Sequence, residues 1–132
     1  MARAHNVLGM LARHAGQLAL ARDHLEQALT FADADAEPGL RVAALNTLAL
    51  VVADSGDPGA AMDLIHEALI LCERQGDRHR RAALENNLAD MLRAAGRTDE
   101  AMEHLKVAVA IFADVGGQPG ELEPEIWKLV EW

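Results

Sequence analysis

The stretch Asn6-Val7-Leu8-Gly9-Met10-Leu11-Ala12-Arg13-His14-Ala15-Gly16, followed by Ala21 and by Ala28-Leu29, returns twice further along the chain. Residues 46 to 69 give Asn46-Thr47-Leu48-Ala49, then Gly56, Ala61 and Ala68-Leu69. Residues 86 to 109 give Asn86-Asn87-Leu88-Ala89, then Gly96, Ala101 and Ala108-Val109. The leading asparagines stand at 6, 46 and 86, a spacing of 40 residues, and no marker slips against the others. A fixed period of this length belongs to an array, in which each unit buries its apolar face against its neighbours.

Each copy reads as two helices. Gly16, Gly56 and Gly96 separate them, glycine being suited to the left-handed residue after a helix C-terminus. Start signals follow: Asp57-Pro58 in the second copy and Thr98-Asp99-Glu100 in the third, with Gln17 a weaker signal in the first. Helical spacing predicts buried sets on the first helix of each pair: Ala4, Leu8, Leu11 and Ala12; Leu45, Leu48, Val51 and Val52; Leu84, Leu88, Met91, Leu92 and Ala95. On the second helix the sets are Leu25, Ala28 and Leu29; Ile65, Ala68 and Leu69; Leu105, Ala108 and Val109. Gly9, Ala49 and Ala89 are expected to face Ala21, Ala61 and Ala101, small against small, so that the two axes approach closely. Polar connectors at 33–39 and 73–77 lengthen the unit by about one turn of the second helix. After the third copy Gly116-Gly117-Gln118-Pro119-Gly120 is a break, and a short helix near 124–131 is expected to cap the stack with Trp127 and Trp132. The organisation expected is three repeats at 1–40, 41–80 and 81–120 with a capping helix in 121–132. Met1 opens directly onto repeat-phased sequence, which reads as a piece of a longer protein.

The bulk properties agree with close helix packing. Apolar residues are 51% of the chain and aromatics 3%, with no Tyr, which suits small side chains between helices and not a β-sandwich. A formal net charge of −9 argues against binding nucleic acid through its phosphates. The basic run Arg78-His79-Arg80-Arg81 sits at a repeat junction and reads as a solvated helix start. Cys72 is the one cysteine, so no intrachain disulfide forms, which fits a reducing, cytoplasmic setting; its spacing from Leu69 makes it a core residue. No apolar run is long enough to span a membrane.

The order Leu-Gly/Ala, glycine eight residues after the Leu, Ala five further on and Ala-Leu beyond resembles the tetratricopeptide repeat, over residues 1 to about 115. The asparagine before the Leu and the long unit look like the extended repeats of kinesin light chains. They also look like the arrays at the C-termini of bacterial signalling ATPases and transcription regulators. Ala12, where the family usually has a bulky aromatic, and the lack of Tyr depart from its pattern. The resemblance implies an all-α, right-handed superhelix of three helix-turn-helix units whose inner wall is formed by the first helix of each pair.

Spacing then assigns the inner wall to Asn6, Met10, Arg13 and His14, to Asn46, Leu50 and Asp54, and to Asn86, Asp90 and Arg93. Arg3, Ala43, Ala53, Ala83 and Ala94 accompany them, while Asp23, Glu26, Asp63, Glu67, Glu100 and Glu103 put acid on the second helices. The three asparagines would form a ladder. An amide donates and accepts, which suits a partner's peptide backbone, and arginines suit its carboxylates. The ladder reads equally as a device that bonds to the neighbouring helix and sets the stacking. The functional expectation is a module binding a peptide or protein partner in its groove, with self-association into a homodimer as the alternative. Catalysis is not expected. His24 and His104 are two repeats apart, His5, His14, His66 and His79 show no metal-ligand spacing, and Gly116-Gly117 lacks the Lys-Ser/Thr of a phosphate loop. No metal, cofactor, nucleic acid or membrane is expected as a partner.

Overall fold

The structure, a computed structural model, describes residues 2–35 and 38–116. Six helices follow one another: α1 Ala2–His14, α2 Leu18–Asp35, α3 Pro38–Asp54, α4 Pro58–Gln75, α5 Arg78–Ala94 and α6 Thr98–Gly116. There is no strand among the described residues. Helices pack as three hairpins, α1 on α2, α3 on α4 and α5 on α6, and α2 packs on α3 and α4 on α5 to stack them.

The same turn closes each hairpin. Gly16, Gly56 and Gly96 stand at φ +77, +93 and +80. The next backbone N–H reaches back to the first helix each time: Gln17 to the Ala12 carbonyl at 2.8 Å, Asp57 to Val52 at 3.2 Å, Arg97 to Leu92 at 2.8 Å. These bonds satisfy carbonyls that the helix end would leave open. Asp57 caps α4 by accepting from the Ala60 N–H at 3.1 Å, with Pro58 in the first turn, and Asp77 caps α5 by accepting from the Arg80 N–H at 3.1 Å.

The core is a ribbon between helices. Ala21, Leu25, Ala28 and Ala32 of α2 are buried, as are Ala61, Ile65, Ala68 and Cys72 of α4. The expected sets of α3 (Leu45, Leu48, Val51, Val52) and of α5 (Leu84, Leu88, Met91, Leu92) are buried too. The small positions Gly9, Ala49 and Ala89, with Ala21, Ala61 and Ala101, are all buried. A Cβ on Gly9 would lie 2.7 Å from Leu25 Cγ, so nothing larger fits there without a shift. Burial pushes the Cys72 thiol up to about 11, in keeping with a neutral core residue.

Four expectations need correction. Ala4, Leu8 and Leu11 are exposed, Leu8 by 43% and Leu11 by 60%; of that set Ala12 alone is buried. α3 and α5 each have a preceding hairpin on this side, and α1 has none among the described residues. Val109 is 52% exposed and Leu105 half-buried, because no helix follows α6 among those residues. Ala95 is exposed, since it ends α5 as its C-cap instead of lying within the helix. α3 has no single inner face: every residue from 42 to 49 is buried, Ala43 and Asn46 included, because helices of all three hairpins surround it. The capping helix in 121–132, with Trp127 and Trp132, lies outside the described residues.

Candidate partner-binding wall

The wall residues divide into a buried row and an exposed row. Asn6 is 4% and Asn46 2% exposed, while Asn86 is half-buried. Asn46 Oδ1 accepts a hydrogen bond from Asn87 Nδ2 at 2.6 Å, from one hairpin to the next. Asn46 is thus joined to the neighbouring helix, the stacking arrangement, and offers no surface to a ligand. Ala83, like Ala43, is buried.

The exposed row is ionic at its ends. Arg13 Nε donates to Asp54 Oδ2 at 2.6 Å, linking α1 to α3. Arg93 donates to Asp90 Oδ1 at 2.5 Å within α5. Met10 and Leu50 are half-buried, and His14 is exposed. The structure therefore brings Arg13 and Asp54 together and keeps Arg93 with Asp90. Both arginines already have a carboxylate.

The second helices carry the acids on the opposite side. A cleft of about 390 Å³ runs between α2 and α4, floored by Leu48 and Val52 of α3 and rimmed by Arg22, Glu26, Asp57, Asp63 and Glu67. A second, of about 270 Å³, repeats it one unit on, floored by Leu88 and Leu92 and rimmed by Asp63, His66, Arg97, Glu100 and His104. None of the wall residues named from the sequence lines either cleft. Arg41 of α3 ties this side together, donating to Asp33 of α2 at 2.6 Å and to Glu67 of α4 at 2.9 Å. The hydrogen bond to Glu67 is the main reason its guanidinium is held above the usual arginine range.

Sequence reading missed one cross-helix position. His5 Nδ1 lies 3.2 Å from His24 Nδ1, and the His5 ring stacks on Phe31 with centroids 5.5 Å apart. Two repeats on, the buried Glu85 meets His104 Nδ1 at 2.5 Å and Arg81 Nε at 3.9 Å. The middle unit has Leu45 and Leu64 there. The available signal was that 5 with 24 and 85 with 104 share a separation of 19 residues, the reach across one hairpin. Among the described residues no group of three His, Cys, Asp or Glu side chains converges to hold a metal ion. The arginines of the basic run are paired internally, Arg78 with Asp114, Arg80 with Asp77 and Arg81 with Glu85.

A stack of paired helices with small residues at the crossings and a first-helix wall is an interaction scaffold. The tetratricopeptide repeat family matches over residues 40–114, more than half of the chain, and the chain belongs to that family. Such repeats generally mediate protein–protein interaction. Among solved structures it is similar to a chain from Podosopora anserina, described as a kinesin light chain of nearly identical TPR-like repeats. The identity is 25% and the TM-score 0.73, covering 86% of this chain and 56% of that one. The fold of BtubC (BKLC) from P. vanneervenii is also shared, at 22% identity and TM-score 0.73, over 86% of this chain and 46% of that one. This chain thus spans about half the length of those structures. A comparison with curated protein sequences gives no match. The architecture is the expected all-α superhelical stack. No helix among the described residues is long and apolar enough to cross a membrane.

Proposed function

We propose that the chain binds a peptide segment of a protein partner along the wall formed by α1, α3 and α5, within a regulatory or signalling protein of the cytoplasm. One observation carries this reading. In a chain of net charge −9, Arg13 and Arg93 stand at the same register position of α1 and α5, each held by a surface carboxylate alone. Surface pairs of this kind contribute about 0–1 kcal/mol. A partner carboxylate in bidentate geometry can replace Asp54 or Asp90 at little cost. Met10 and Leu50 between them supply the apolar contact. Asn46 acts behind this surface, bonded to Asn87 and so tying the second hairpin to the third. The resemblance to arrays of bacterial regulators and the single cysteine, Cys72, support the setting; the acidic charge speaks against nucleic acid.

Selection from a displayed random-peptide library tests the reading. Enriched sequences should carry an acidic residue, and the Arg13→Ala, Arg93→Ala double variant should lose them by roughly tenfold or more, about 1.4 kcal/mol. Undiminished binding by the folded double variant would remove the wall as the site. Self-association, the second reading, draws on a different face.

A further inference from the structure

The two clefts of the acidic side have equivalent apolar floors and different rims. In the second, between α4 and α6, Glu100 is held by Arg97, and His66 and His104 complete the edge beside Asp63. In the first, between α2 and α4, four carboxylates, Glu26, Asp57, Asp63 and Glu67, stand against one guanidinium, Arg22. Two of the four are engaged: Asp57 caps α4, and Glu67 accepts from Arg41. Glu26 of α2 and Asp63 of α4 stand exposed on opposite walls and form no ion pair among the described residues.

Below that rim the first cleft is apolar. Leu48 and Val52 of α3 close its floor, and half-buried Leu64 of α4 lines its side. An occupant that suits both levels has a large apolar side chain for the floor and a cation for the rim. Carboxylates on two facing walls repel each other, and a cation between them is attracted by both. The cleft is formed wholly by α2, α3 and α4. The stretch 117–132 has Glu121, Glu123, Glu125 and Glu131 against Lys128, so its charge is the wrong sign for this rim.

We propose that the cleft between α2 and α4 docks a basic segment of a protein partner. One large apolar side chain enters over Leu48 and Val52, and a flanking Lys or Arg lies between Glu26 and Asp63. This is a second site, on the face opposite the wall of α1, α3 and α5 and with the opposite charge preference. It does not depend on the wall reading.

Selection from a displayed random-peptide library tests it, with the full chain in the Arg13→Ala, Arg93→Ala background so that the wall is removed. Enriched peptides should set Lys or Arg beside a large apolar residue. Adding Glu26→Gln and Asp63→Asn should weaken binding of the enriched peptide by roughly tenfold or more. Asp23→Asn with Glu103→Gln removes the same charge outside the cleft and should change binding by less than about twofold at physiological salt, where distant surface charges are screened. All four positions are exposed, so helical circular dichroism should be unchanged. Replacing the apolar residue of the peptide by Ser should also abolish binding. The proposal is overturned if no basic, apolar family is enriched, or if the serine peptide binds undiminished. It is overturned equally if the two charge-removing pairs weaken binding alike, since net charge alone would then account for the attraction.

Discussion

The two junctions between hairpins occupy the same register and are held differently. At the junction of the second and third hairpins an amide pair, buried Asn46 with half-buried Asn87, crosses at 2.6 Å. At the junction of the first and second, Thr47 stands where Asn87 would be, and its hydroxyl donates to its own helix at the Ala43 carbonyl, 3.1 Å away. Asn6, the counterpart of Asn46, is left with its Oδ1 buried and without a partner. The outer edge reverses the contrast: Arg13 and Asp54 form an ion pair across the first junction, where the second has Ala53 and Ala94. One junction is bonded inside and the other at the rim. An array with strict sequence phase need not have equal cohesion along its length, since repeat stability sums unit and interface contributions separately.

The largest effect expected concerns Cys72, near the end of α4 where the chain turns into α5; repeat one has Ala32 there. With the thiol raised from 9.0 to about 11, the thiolate fraction at mildly alkaline pH is about 100-fold below that of an unfolded chain. Alkylation of the native protein should be slower than that of the urea-unfolded protein by at least this factor. The sign for stability follows. The contribution of the neutral buried thiol is fully present below pH 9 and is lost as pH rises toward 11, and Cys72→Ala should abolish that alkaline loss. Equal labelling of native and unfolded chains would show that the second junction opens freely.

Next in size is Asn46→Ala. It removes a buried acceptor and should cost about 1–3 kcal/mol in urea unfolding. Asn6→Ala removes a group whose carbonyl makes no bond, so its cost should be clearly smaller. Equal losses at the two positions would mean the amide bond at 2.6 Å adds nothing to stacking.

Most of the fold was legible because its signals repeat. The turn glycines, the small crossing residues and the Leu positions of α3 and α5 each occur in a fixed place, and three concordant copies outweigh a weak single instance such as Gln17. The failures have one physical source: periodicity names a face of a helix but not what covers it. Leu8 and Leu11 match Leu48 and Val51 in type and are open because nothing precedes α1 among the described residues. Asn46 has the type and spacing of a wall residue and is buried because α3 has neighbours on every side. The internal partners of Arg13 and Arg93 were within reach of sequence. Asp54 and Asp90 lie on the same wall as the arginines, and opposite charges on a shared face are expected to meet.

Thr47→Asn would convert the first junction toward the second. An asparagine there can donate to Asn6 Oδ1 as Asn87 donates to Asn46, giving a stabilisation of about 1 kcal/mol. The gain should disappear in the Asn6→Ala background, a coupling that a double-mutant cycle reads directly. An equal gain in both backgrounds would assign the effect to local helix preference and not to the bond.

The smallest effect belongs to the rim. The Arg13 and Asp54 side chains are 27% and 40% exposed, and a pair so placed contributes at most about 1 kcal/mol. Arg13→Ala should therefore destabilise by less than Asn46→Ala. The difference from wild type should shrink between low salt and about 1 M salt, where the screening length falls to about 3 Å. A salt-independent loss would point to the packing of the arginine stem between α1 and α3 instead of its charge. That outcome would also bear on binding, because a guanidinium fixed by packing cannot release Asp54 to take a partner's carboxylate. The weakness of this rim bond is thus a requirement of the proposed exchange.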